Sequence, residues 1–115
     1  MAFNIKRPAS FKWPVEVNLP ADGGRYKKDT FTAEFINLST DEVDDFAKLT
    51  TENDKTLAEK VGRIMTGWSG IVDDSGEVPF SDKALDEALK IPGVANAIIM
   101  AYSDAIMGNG ARRKN

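Results

Sequence analysis

The strongest constraint on the fold of this 115-residue chain is a change of hydrophobic period near residue 37. Before this point apolar and polar residues alternate, which is typical of strands with one buried face. After it apolar residues recur every three or four positions, which is typical of amphipathic helices. The chain is long enough for one hydrophobic core. The sequence therefore predicts a single α+β domain over residues 1–115, with an N-terminal β-hairpin followed by a mainly helical region of about four short helices.

The predicted hairpin covers residues 11–36 and follows a loosely held N-terminal arm, residues 1–10. Pro14 cannot donate a hydrogen bond to a neighbouring strand, so the first strand is expected at a sheet edge or with a bulge. The turn contains Gly23 and Gly24, which accept positive φ. The apolar positions that define the buried face of the hairpin are Phe11, Trp13, Val15, Val17, Leu19, Phe31, Ala33 and Phe35.

The helical part is predicted over residues 40–107, with a basic tail at residues 108–115. Ser39 and Glu42 form a capping-box pattern that begins a first helix of about residues 40–50. A second helix has an apolar stripe and ends near Gly67. Its solvated positions are predicted to be Glu59 and Lys60, and the stripe consists of Leu57, Val61, Ile64 and Met65.

The third and fourth helices follow a turn-rich connection, residues 68–80. Ser81 or Asp82 is expected to cap the third helix, which has to end before Pro92. Pro92 is then expected in the first turn of a fourth helix that runs to about Met107 and is closed by Gly108.

The fourth predicted helix is apolar on almost every side. Its polar positions, Asn96, Ser103 and Asp104, form one narrow strip, so most of the helix has to be covered. The sequence leaves two kinds of cover open: packing inside the monomer, or an interface with another subunit or partner. Trp68 is usually a core residue, although Trp is also enriched in binding hot spots. The candidate interface residues are Ile98, Ile99, Tyr102, Ile106, Trp68 and Phe80.

The chain contains no Cys and no His. This excludes disulfides, thiolate or imidazole zinc sites, Cys nucleophiles and a Ser-His-Asp triad. The acidic groups at residues 41–45 and 73–77 are interpreted as a helix start and a β-turn. We therefore expect no enzyme activity, no metal and no cofactor. The enzyme class that stays open is a small hydrolase or isomerase with two carboxylates in a shared cleft.

Charge and hydropathy limit the partners. The net charge of -3 gives no excess of basic residues for a nucleic-acid backbone, so no nucleic acid is expected. The longest apolar stretch, Val94 to Met100, is interrupted by Asn96 and is far shorter than the ~20 residues that cross a bilayer, so no membrane is expected. Residues 1–7 lack the apolar block of a signal peptide. We expect the protein to remain in the cytoplasm.

Several segments between Phe31 and Met107 occur in a recognisable order. Residues 31–35 lead into the acidic segment 38–43, and Gly67-Trp68-Ser69-Gly70 precedes an acidic turn with glycine. Residues 78–81, 91–94 and 101–102 follow. This order resembles the tail assembly chaperones of siphoviruses, the long-tailed bacteriophages, or of related prophages. The resembling features are the strand before an acidic helix, the G-W-x-G segment and the C-terminal half.

The resemblance implies a protein that binds the tape-measure protein, keeps it soluble and recruits tail-tube subunits. It also implies self-association into a homo-oligomer, often a spiral one. Such a protein acts in the host cell cytoplasm and is not expected in the mature virion. The alternative is a structural tail completion or connector subunit of the virion.

Overall fold

The computed structural model describes residues 2–52 and 57–108, and the side chains of these residues except 47–52 and 57–59. The strands are β1 (Ser10–Ala21), β2 (Arg25–Ile36), β3 (Met65–Ser69), β4 (Val72–Asp73) and β5 (Gly76–Glu77). The helices are α1 (Thr40–Glu52), α2 (Leu57–Ile64), α3 (Asp82–Leu89) and α4 (Val94–Met107). The α+β class and the N-terminal hairpin are confirmed.

The main sheet is antiparallel and has the strand order β1-β2-β3. β1 is an edge strand, as Pro14 predicted. Val15 pairs with Phe31 across the hairpin, and both side chains are buried. The turn contains two successive glycines with positive φ, Gly23 at 79° and Gly24 at 75°. The alternating apolar positions of both strands thus form one face of the sheet, against which the helices pack.

The strand β3 was not predicted. The second helix ends at Ile64 instead of near Gly67, and the chain continues directly into β3, which pairs with β2. The register shifts between Glu34 and Phe35, where a β-bulge interrupts the ladder. Five residues that include a glycine give too short a pattern to identify a strand. The strand that pairs with β3 is β2, which lies far away in the sequence.

The connection after β3 contains the small hairpin β4–β5. Ser75 N–H donates to Asp73 Oδ1 over 2.8 Å, which closes the turn. Val78 N–H donates to the Ile71 carbonyl over 2.8 Å, which joins the two residues that flank the β4–β5 hairpin. The interpretation of residues 73–77 as a β-turn is confirmed.

The predicted helix caps are largely confirmed. Ser39 N–H donates to Glu42 Oε1 over 2.9 Å, and Glu42 N–H donates to Ser39 Oγ over 3.3 Å, so the capping box before α1 is formed. Ser81 caps α3 by accepting from Ala84 N–H over 3.0 Å. Gly108 closes α4 with a φ of 72°.

The prediction that Pro92 lies in the first turn of α4 is wrong. The N-cap of α4 is Gly93, whose φ of 91° is left-handed. Pro92 therefore lies outside the helix, because it precedes the N-cap. The left-handed conformation at Gly93 is one that glycine adopts without steric cost. The helix then starts at Val94 and ends at Met107 as expected.

Lys60 is buried, with 3% of its surface exposed, which corrects its assignment to the solvated face of α2. It precedes Ile64 by one helical turn, so both residues lie on the same side of α2, where the methylene stem of a lysine packs against apolar neighbours. The side chains of Leu57 and Glu59 lie outside the described residues, and so do residues 109–115 of the predicted tail.

Candidate functional site

One side of α4 belongs to the core of the monomer. Val94, Ala95, Ile98 and Tyr102 are buried, and Ile98 and Tyr102 have no exposed surface. The Tyr102 hydroxyl donates to the Ile36 carbonyl over 2.9 Å. Two of the candidate interface residues, Ile98 and Tyr102, are thus held inside the fold and are not available to a partner.

The other side of α4 is only partly covered. Ile99 and Ile106 are half-buried, whereas Met100 is 59% exposed and Met107 is 66% exposed. Packing inside the monomer, one of the two kinds of cover that the sequence left open, therefore applies to one side of α4, and the other side is partly exposed to solvent. The apolar residues that a partner can reach are concentrated at Met100, Ile106 and Met107.

An open groove of about 740 Å³ lies at the C-terminal end of α4. We call it the Met107 groove. It is bordered by the end of the N-terminal arm, the start of β1, the start of α1 and the last turn of α4. Its apolar lining consists of Pro8, Phe11, Trp13, Leu38, Val43, Ala105, Ile106 and Met107. Charged side chains reach it from Arg7, Lys12 and Asp44.

A second open groove, of about 720 Å³, runs between α4 and the edge strand β1. We call it the Met100 groove. Trp13 lines both grooves, so together they follow α4 from Gly93 to Met107. The 14 residues of α4 correspond to a length of about 21 Å. The other lining residues of the Met100 groove are Pro14, Glu16, Asn18, Thr30, Asn96, Ala97, Met100, Ala101 and Asp104.

The free edge of β1 is poorly suited to pairing with a strand from another chain. In a strand the backbone N–H groups point alternately to the two edges. Pro14 and Pro20 lie an even number of residues apart, so both occupy positions whose N–H groups would point away from β2. Neither has an N–H to donate. Charged side chains at Lys12 and Glu16 occupy the same set and further discourage edge pairing. Addition of a strand from another chain at this edge is therefore disfavoured.

The candidates Trp68 and Phe80 form a different cluster. Their ring centroids are 4.9 Å apart in an edge-to-face arrangement, and the Trp68 indole N–H donates to the Val78 carbonyl over 2.8 Å. Trp68 also contacts Phe31 of β2, at 6.4 Å. Both side chains are half-buried. These contacts hold the segment that contains β4 and β5 against the sheet, so the two residues have a structural role.

Two side chains near the Met107 groove have shifted pKa values with structural causes. Burial raises the pKa of the Tyr102 hydroxyl above its ordinary value. The backbone N–H of Ser39, together with the Ser39 hydroxyl, lowers the pKa of the Glu42 carboxyl. Both shifts are explained by helix capping and core packing, and neither points to acid-base chemistry.

The comparisons with known proteins give no match: no family model, no curated protein and no solved structure is similar to this chain. Across residues 2–52 and 57–108 no three acidic side chains are arranged to hold a metal ion. In that same part of the chain, no helix is both long enough and apolar enough to span a membrane.

Sequence reasoning found α4 as the contact element but missed the other walls of its grooves. Phe11 and Trp13 were assigned to the buried face of the hairpin, yet both also line the Met107 groove. The available signal was their position at the end of an edge strand, where an inward-facing residue is covered on one side only. Met100 and Met107 lie four residues after Asn96 and Ser103, on the same face as the polar strip, which was the available signal for their exposure.

Proposed function

We propose that this protein is a tail assembly chaperone of a siphovirus or a related prophage. It binds the tape-measure protein in the host cell cytoplasm, keeps it soluble and recruits tail-tube subunits to it. It associates with copies of itself and is absent from the mature virion. It performs no covalent chemistry and uses no cofactor.

The observation that carries this proposal is the half-covered helix α4. Met100 and Met107 are exposed beside two grooves that together extend along the whole helix. Methionine is flexible and polarizable, and is common on surfaces that accept varied apolar partners. The order of segments that resembles the tail chaperones gives the class of partner.

An amphipathic helix is the form of partner that fits this surface best. The free edge of β1 lacks N–H donors at Pro14 and Pro20, which disfavours strand addition. The grooves, in contrast, offer apolar contacts along a length of about four helical turns. The resemblance implies a long helical partner, and an amphipathic helix leaves its apolar stripe exposed to water until the stripe is packed. Covering that stripe removes apolar surface from water and reduces aggregation.

Co-expression tests the proposal. The tape-measure protein of the same genome is produced with and without this protein, and the fraction that stays in solution after centrifugation is measured. We expect a clear increase in soluble tape-measure protein and co-purification of the two chains. Unchanged solubility together with no co-purification would contradict the proposal.

Mass spectrometry of purified virions separates the chaperone from a structural tail completion or connector subunit. A chaperone is abundant in the infected cell and absent from the particle. Detection at a fixed number of copies per virion would favour the structural subunit.

A further inference from the structure

The N-terminal arm, residues 2–9, presents two large apolar side chains to solvent. Phe3 is 80% exposed and Ile5 is 81% exposed, the highest values among the large apolar residues that the structure describes. Lys6 and Arg7 follow directly, and residues 2–9 contain no acidic residue. The arm is therefore a short basic segment with two apolar anchors that its own chain leaves uncovered.

The arm is directed away from the opposite end of the hairpin. Asn37 N–H donates to the Ala9 carbonyl over 2.9 Å, and Asn37 Nδ2 donates to the Pro8 carbonyl over 2.8 Å. These bonds continue the contact between the two strands past Ser10, where β1 begins. The first residues of the arm thus extend beyond that end of the sheet.

An apolar groove of about 360 Å³ lies at the other end of the hairpin. We call it the Ile91 groove. It is bordered by the outer part of β1 and β2, by β4 and by the connection between α3 and α4. Val72 is 68% exposed and Ile91 is 47% exposed at its rim. Its apolar lining consists of Val17, Leu19, Phe31, Ile71, Val72, Ala88, Ile91 and Val94.

The arm cannot reach the Ile91 groove of its own chain. From Pro8 to Val17 the strand direction covers nine residues, or about 30 Å at ~3.4 Å per residue. From Pro8 back to Phe3 there are five residues, which span at most about 17 Å. Contact between these anchors and this groove therefore requires two different copies.

Charge favours the same pairing. The β4–β5 hairpin beside the groove contains three exposed acidic residues, Asp73, Asp74 and Glu77, and no basic residue. Lys27 also lines the groove, but it is paired with Asp29 at 3.8 Å. A basic arm is thus attracted to this end of a neighbouring copy and oriented as it approaches.

We propose that Phe3 and Ile5 of one copy insert into the Ile91 groove of a second copy. This inference builds on the self-association that is part of the proposed function, and it identifies the contact. Because the arm and the groove are different surfaces, the contact is head-to-tail, and each added copy offers a new free arm and a new free groove. Repetition gives a ring if the rotation closes and a spiral if it does not. The contact is small and therefore weak, so the fraction of associated protein should rise with protein concentration over the measured range.

Sedimentation velocity over a range of protein concentrations tests the contact. The arm variant carries Phe3→Ser and Ile5→Ser, and the groove variant carries Val72→Lys and Ile91→Lys. All four positions are exposed, and circular dichroism checks that both variants fold. Each variant alone should associate at least about tenfold more weakly than the natural protein, which corresponds to the loss of about 1.4 kcal/mol of apolar contact. Tyr26→Ser, at a residue that is 72% exposed and lines no part of the groove, is the control and should associate normally.

Mixing the two variants gives the decisive result. The arm variant retains an intact groove and the groove variant retains an intact arm, so an equimolar mixture should form dimers that do not grow further. A mixture that stays monomeric, a natural protein that is monomeric at every concentration, or an arm variant that associates normally would each overturn the inference. A groove variant that does not fold is replaced by Val72→Ser with Ile91→Ser, which removes the same apolar contacts without adding a charge and keeps the mixing experiment possible.

The outcome is separate from that of the proposed function. Self-association is measured on this protein alone, whereas chaperone activity is measured as soluble tape-measure protein. A monomeric arm variant that still solubilises the tape-measure protein supports both proposals. An associating protein that has no effect on the tape-measure protein contradicts only the proposed function.

Discussion

Tyr102 connects four elements of the fold through one side chain. Its hydroxyl bonds to the last residue of β2, and its ring contacts Phe11 of β1, Phe35 of β2 and Phe46 of α1 at centroid distances of 6.4, 5.1 and 5.8 Å. The sequence placed Tyr102 on the correct helix but could not distinguish core from interface, because both require an apolar ring at the same position. The hydrogen bond to Ile36 belongs to a contact between residues far apart in sequence.

Tyr102→Phe should lower the free energy of unfolding by about 1 kcal/mol, because the ring stays packed while the Ile36 carbonyl loses its donor. Tyr102→Ala should cost about 3–5 kcal/mol, since it also leaves a cavity. Urea unfolding followed by circular dichroism measures both. Equal costs for the two substitutions would show that packing of the ring contributes nothing.

The ionisation of Tyr102 adds a dependence on pH. Burial raises its pKa in the folded state, so on raising the pH the unfolded chain loses this proton first. The contribution to stability is complete below the ordinary value of about 10 and is lost as the pH rises through the raised value. The same titration of Tyr102→Phe should fall less steeply at high pH, and an identical slope would contradict the assignment.

Among the elements, those with purely local signals were predicted well. The alternation in residues 11–36 specifies both a strand pair and its buried face, and the turn between the strands requires its glycines. The capping patterns at Ser39 and Ser81 likewise depend on atoms within three residues. β3 was missed because its partner residues in β2 lie 30 to 37 positions earlier, and no local pattern indicates such a pairing.

The capping box of α1 can be tested by Ser39→Ala. Loss of the hydroxyl that accepts from the Glu42 N–H should lower the free energy of unfolding by about 1 kcal/mol at neutral pH. Because the Ser39 backbone N–H and hydroxyl lower the pKa of Glu42, their stabilisation is present above the ordinary carboxyl pKa and is lost as the pH falls through the lowered value. The difference between variant and natural protein should therefore shrink in acid. Thr40→Ala, which removes a neighbouring hydroxyl, serves as the control.

Replacing Gly70 or Gly62 by alanine should change the stability of the protein in opposite directions. Gly70 has a φ of 87°, a backbone conformation that a residue with a Cβ rarely adopts, so Gly70→Ala should destabilise the protein by about 1–2 kcal/mol. Gly62 lies inside α2 with open space around it, so Gly62→Ala should stabilise it by about 0.5–1 kcal/mol. Thermal unfolding of the two variants measures the signs. Destabilisation by both would contradict the position of Gly62 in a helix.

At the scale of the whole molecule, charge is divided along the chain. Residues 1–28 contain six basic and two acidic side chains, and residues 29–107 contain sixteen acidic and six basic ones. The Met107 groove lies where the arm and β1 meet the acidic start of α1. The net charge alone hid this division. Lys6 and Arg7 lie in the arm, whereas Arg25, Lys27 and Lys28 lie at the turn end of the hairpin, so these basic residues occur near both ends of β1.

The grooves along α4 could be predicted only in part. The composition of α4 required cover on most sides, and the structure shows that one side is covered from within and the other is left half-open. This outcome depends on how β1 and α1 pack against the helix, which no segment of the sequence determines by itself.

The most direct test of the account is the soluble fraction of the tape-measure protein when it is co-expressed with variants of the α4 surface. Met100→Lys with Met107→Lys places two charges in the grooves and should change the free energy of unfolding by only about 0.5 kcal/mol, since both positions are exposed. Thr66→Lys, at an exposed position of β3, is the matched control. We predict that the natural protein and the control keep the tape-measure protein soluble, while the double variant folds but does not. Equal solubility with all three would contradict the claim that this surface of α4 binds the partner.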